Sequence, residues 1–147
     1  MNQDDFVYKI HCELSITSES VSSVEITNEL NIVPQRQFNK GDEFTSKHTQ
    51  RIGKRLQHLW AVKSKSTLSN DESVSAHIEY IGSLIKGKEE ILRKYKKESG
   101  IEVSVWIWIK TDNAGIGFEL SEKELFFLND IANRIHFSVL TNTSIAS

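Results

Sequence analysis

The chain predicts a single α+β domain of ferredoxin-like, split βαβ architecture: a mostly antiparallel sheet with helices on one face and an extra hairpin. Three observations lead there. Segments in which apolar residues alternate with period two are interleaved with segments at helical spacing. Capping-box patterns, Ser22 to Glu25, Ser69 to Glu72 and Ser121 to Glu124, open the helical segments. The 147 residues suit one domain, domain 1–147, with no internal repeat, low-complexity tract or linker.

Each element follows from its own pattern. Phe6 to Ile16 is a strand, with Phe6, Tyr8, Ile10, Cys12, Leu14 and Ile16 on one face and Val7, Lys9, His11, Glu13 and Ser15 on the other. "SSVEITNELNIVP" is a short helix with Val24, Thr27 and Leu30 on one side. Asn31 ends it in the left-handed conformation and Pro34 prevents its continuation. Residues 35–55 are polar, basic and aperiodic, and read as a long loop holding one short helix near Ser46 to Gln57. "HLWAVKS" is a short strand around Trp60.

From Ser69 the chain places Val74, Ile78, Ile81 and Ile85 at helical spacing. Gly82 and Gly87 each cost a helix about 1 kcal/mol relative to Ala, which predicts a break near Gly87. A second helix then runs through Ile91, Leu92 and Tyr95 until Gly100. "IEVSVWIWIK" is a strand, "TDNAG" its turn and "GIGFEL" its partner strand. A helix from Glu122 to Arg134 and a strand around "IHFSVL" complete the chain. The ferredoxin-like plan sets the first strand between the "VWIWI" strand and the last one.

Turning every apolar series towards the helices sends Lys9, His11, Glu13, Trp106, Trp108, His136, Ser138 and Leu140 to the helix-free face. Two tryptophans on a half-polar face have three readings: core beneath a folded-over segment, a protein interface, or a small-molecule pocket.

Composition narrows the classes. A hydrophobic fraction of 38% and a charged fraction of 26% describe an ordinary globular protein. The net charge of -2 gives no global attraction to nucleic acid or anionic lipid. Charge is unevenly placed, however. From residue 35 to 65 eight Lys or Arg face Asp42 and Glu43, a local +6 that leaves -8 on the rest. "MNQDDFVYK" has no signal-like pattern and no window reaches 18 apolar residues, so a cytoplasmic location without membrane contact is expected. Cys12 is the only cysteine, which excludes an internal disulfide, and its place in an apolar series makes it a buried, inert thiol.

At "LNIVP", "KG" and "HLWAVKS" the chain resembles a bacterial family known as domain of unknown function 4279. Leu30, Ile32, Pro34, Lys40, Gly41 and Trp60 fill the family's characteristic places, and Asn31 stands where Gly is common. Both residues tolerate positive φ. Family members tend to finish in an acidic, aromatic strand, whereas this chain ends "HFSVLTNT". The resemblance implies a fold and no particular activity.

Chemical motifs are sparse. His11, Glu13 and His136 could meet on adjacent strands around a metal ion, yet no HxH, HExxH or acidic loop is present, and no metal or cofactor is expected. No nucleophile elbow appears, and "GIG" at 115–117 is too short to cradle a phosphate. His48, His58 and His77 read as structural or surface residues. The basic segment with Trp106 and Trp108 could take nucleic acid, but RNA-reading aromatic and glycine patterns are missing.

The sequence therefore points to a small binding module acting by protein-protein contact, immunity-type by analogy with small bacterial domains, and able to form a homodimer through its sheet. Its expected contact residues are Trp106, Trp108, His11, Lys9 and His136, with Arg51 and Arg55 of the basic segment. An enzyme or small-ligand domain with an unrecognised pocket is the alternative, and nucleic-acid binding through residues 35–65 the lesser one.

Overall fold

The computed structural model describes residues 7–64, 73–111 and 116–141. In chain order these form β1 (Val7–Ser18), α1 (Ser23–Leu30), β2 (Arg36–Phe38), β3 (Glu43–Thr45), β4 (Ile52–Lys54), β5 (His58–Lys63), α2 (Val74–Leu84), α3 (Glu89–Lys97), β6 (Ile101–Thr111), α4 (Glu122–Ile131) and β7 (Arg134–Thr141). Five strands make one sheet in the order β2-β5-β1-β6-β7, and β3 and β4 form a separate two-stranded hairpin. All pairs in the larger sheet are antiparallel except β6 with β7. The α+β class and the mostly antiparallel sheet hold, and the extra hairpin is formed by β3 and β4 rather than by the segment that follows β6.

The helices cover one face. Cys12, Leu14 and Ile16 of β1, Trp60 and Val62 of β5, and Val103, Val105, Ile107 and Ile109 of β6 are buried in one cluster with Ile26, Leu30, Ile78, Ile81, Leu92, Tyr95, Leu128 and Ile131 from the four helices and Ile85, which caps α2. Register explains the shared face: Leu14 lies opposite both Val62 and Val105, and Cys12 opposite Ile107. Polar anchors tie helices to strands. The Trp60 indole N–H donates to Thr27 Oγ1 at 3.1 Å. The Cys12 amide donates to Ser64 Oγ at 3.0 Å, which stands 2.7 Å from His77 Nδ1 on α2. Arg93 of α3 grips the Asp130 carboxylate of α4 with both Nε and Nη2. Helix ends follow the sequence: Ser22 with Glu25 and Ser121 with Glu124 form capping boxes, and Asn31 closes α1 at φ 54.

Several expectations are corrected. Residues 35–55 are not a loop with a helix but three short strands, each of three residues, too short for a period to show. Residues 116–120 form no strand, because β1 and β7 already occupy both edges of β6. β1 lies between β5 and β6 rather than beside the last strand. The single-helix crossover through α4 returns the chain parallel to β6, which carries β7 to the outer edge. Ser73, not Ser69, caps α2; the pattern from Ser69 to Glu72 and the "TDNAG" turn after Thr111 lie outside the described residues. On α1 the buried side is Ser23, Ile26 and Leu30, and Val24 is exposed.

Candidate functional site

The hairpin closes part of the helix-free face. Phe38 sits opposite Leu59 on that side, and the Arg55 guanidinium lies 4.1 Å from the Phe38 ring centre and 4.2 Å from that of Phe44. This sandwich clamps the hairpin at the β2–β5 end of the sheet, where Leu59 and Ala61 are buried. Phe44 can lie flat across its pair partner because that partner is Gly53; a Cβ there would come within 3.0 Å of the ring. Arg51 is exposed on the hairpin and Arg55 is engaged in the clamp. Neither joins the tryptophans.

The β1–β6–β7 end stays open, and there the sequence-predicted residues converge. His136 stacks on Trp106 with ring centres 3.9 Å apart, Trp106 on Trp108 at 5.1 Å, and Trp108 on His11 at 5.9 Å, all within 16° of parallel. Four rings from three strands thus form one column. It is built by register: His11 is opposite Trp108, and Trp106 is opposite both Glu13 and His136. Each indole has a ring neighbour on both sides, so the column presents ring edges outward, where an indole carries its positive rim and its N–H donor. Neither indole N–H is hydrogen-bonded among the described residues, and neither is a buried unpaired atom. All four rings are half-buried.

Charge flanks the column. Glu13, which the alternation of β1 sets on the helix-free face, is nevertheless only 2% exposed, and Arg36 Nη2 of β2 donates to its Oε1 at 2.9 Å. Arg134 pairs with Glu102 at 3.1 Å. With those carboxylates matched, exposed Lys9, Lys63 and Lys110 make no ion pair among the described residues and leave this face cationic. Lys9 stands directly opposite Lys110, next to His11 and Trp108. A recess of about 300 Å³ lies between His11, Glu13, Arg36, Lys63 and Trp108. Burial, and then the Lys63 ammonium, hold His11 below its ordinary imidazole value. Burial pushes the Cys12 thiol up to about 12, so it is no nucleophile. No group of three His, Cys, Asp or Glu among the described residues could hold a metal ion.

The structure brings together Lys9, His11, Trp106, Trp108 and His136 and adds Arg36, Lys63 and Lys110. Lys63 and Lys110 were legible from the period-two alternation of their strands. Arg36 was not, because its strand was read as loop.

A family model described as "Domain of unknown function (DUF4279)" matches residues 8–142. No curated protein and no solved structure matches the chain. Among the described residues no helix is long and apolar enough to cross a membrane.

Proposed function

The chain belongs to the family of domain of unknown function DUF4279, and we propose that it works by protein-protein contact, using the open β1–β6–β7 face to hold an acidic protein partner. The observation that carries this reading is the edge-on column His136–Trp106–Trp108–His11. Ring edges, indole N–H groups and three lysines, all unpaired among the described residues, favour carboxylates and backbone carbonyls, and large half-exposed aromatics are what interface centres use. Two rivals fit less well. Base stacking needs an open ring face, and here the indole faces are already taken. A small anionic ligand could enter the recess beside Trp108, where Lys63 is free to meet it.

The test begins with proximity labelling in the host, followed by titration of each purified acidic candidate with the full chain. Trp106→Ala and Trp108→Ala should each weaken association by more than about 2 kcal/mol with folding retained by circular dichroism. A partner whose affinity ignores both substitutions would refute the proposal. A thermal shift produced only by small molecules would transfer the face to the pocket reading.

A further inference from the structure

The outer strand β7 has a different character from the column. It is the last strand of the sheet, eight residues long, and its outer edge is unpaired among the described residues. The opposite edge, β2, has three residues and carries Arg36 and the clamped hairpin. Edges are normally blunted by lysine, proline or a bulge, and β7 has none of these. It exposes apolar side chains on both faces instead: Phe137 at 52% and Val139 at 45% on the helix side, Leu140 at 60% on the column side. Phe118 lies against Phe137 with ring centres 5.7 Å apart. On α4, Phe127 and Glu124 turn towards α2 and Leu128 enters the core, which leaves exposed Leu125 on the flank away from α2.

We propose that β7 pairs antiparallel with β7 of a second copy of this chain, joining two sheets into one of ten strands. The strand is complementary to itself. Directly opposite residues in an antiparallel pair share a face, so keeping both helical layers on one side requires a residue to face its own copy across the twofold axis. An axis through Ser138 sets Phe137 against Val139, His136 against Leu140 and Ile135 against Thr141, with an aromatic beside a β-branched residue on the helix side. No like charges oppose one another in that register. Arg134, the strand's only Lys, Arg, Asp or Glu, lies outside the matched segment and already pairs with Glu102.

The exposed apolar side chains supply about half of the area a standard interface needs. Phe118, Leu125, Phe137, Val139 and Leu140 expose on the order of 400 Å² per protomer at ~200 Å² for a whole aromatic side chain. The backbone of an eight-residue strand and the flank of α4 add to this, towards the ~800 Å² per partner of a standard interface. In this register the His136 end of each column meets Leu140 of the other copy across the seam.

Sedimentation equilibrium of the full chain tests this. Wild type should have twice the chain mass of 16.8 kDa. Val139→Lys and Leu140→Lys, which place an ammonium on either face of the edge, should each raise the dimer dissociation constant at least about thirtyfold with circular dichroism unchanged. If one variant misfolds, the other on the opposite face decides. Any of three results would overturn the assignment: a wild-type monomer at ~1 mM, a dimer indifferent to both lysines, or a dimer abolished by Trp106→Ala and untouched by them. The last would move self-association to the face, and acidic-partner binding retained by monomeric Val139→Lys keeps the two proposals separate.

Discussion

His11 ends the ring column, and its environment disfavours the protonated imidazole. Its neighbours across the pairs and recess are Lys63, Glu13, Lys9, Lys110, Arg36 and Trp108, with His77 acting from the helix side. Burial and Lys63 disfavour its charged form, so the unfolded chain binds the proton more readily than the folded one. The sign follows directly. His11's contribution to stability is complete above about pH 6.5, the unfolded value, and is lost as pH falls through the lower folded value. Thermal melts between pH 7.5 and 5 should show the melting temperature falling, and His11→Gln should flatten that decline; an unchanged slope would contradict the assignment. Alternation along β1 and β6 was enough to foresee that His11, Trp106 and Trp108 share a face. The burial of Glu13 was not legible, since it depends on Arg36 reaching across from β2, a contact fixed only by sheet order.

At the level of elements, the β3–β4 hairpin is held to the sheet by the Phe38–Arg55–Phe44 sandwich. A partly buried cation between two rings is worth about 1–2 kcal/mol, and it adds to the backbone hydrogen bonds that join Arg55 to Gly41 and Asp42 at the base of so short a hairpin. Arg55→Ala should therefore release it locally. Hydrogen exchange at residues 43–54 is expected to accelerate at least tenfold while β1 and β6 keep their protection; a global loss of protection would show instead that the hairpin belongs to the main cooperative unit. Long elements were legible in advance because periodicity accumulates: β1, β6, α1 and α4 begin and end within a few residues of expectation. β2, β3 and β4 were hidden because three residues cannot display a period, and their pairing comes from tertiary contact. The supposed strand at 116–120 failed for a topological reason, since the β6–α4–β7 crossover fills the edge it would have used.

For the whole molecule, the net charge of -2 conceals an uneven distribution, with unpaired lysines gathered beside the ring column among the described residues. Lys9, Lys63 and Lys110 are exposed beside the column. An acidic partner would be steered to that side, so its association rate should fall about tenfold or more between ~0.05 and ~0.5 M salt, with a much smaller change in dissociation rate. Stopped-flow measurement checks this, and a salt-independent rate would mean that the lysines do not guide the encounter. Strand order, hence which charges share the open side with the indoles, was beyond the sequence, because several sheet orders satisfy the same apolar pattern. The three tryptophans also divide optically. Trp60 is sealed in the interior, whereas Trp106 and Trp108 lie parallel and partly wet. Two chromophores so close couple their electronic transitions, and acrylamide in solution reaches them while sparing the third. The protein thus carries an intrinsic reporter of occupancy, in which anything seated on the column shields two emitters of three from quencher without a label being attached.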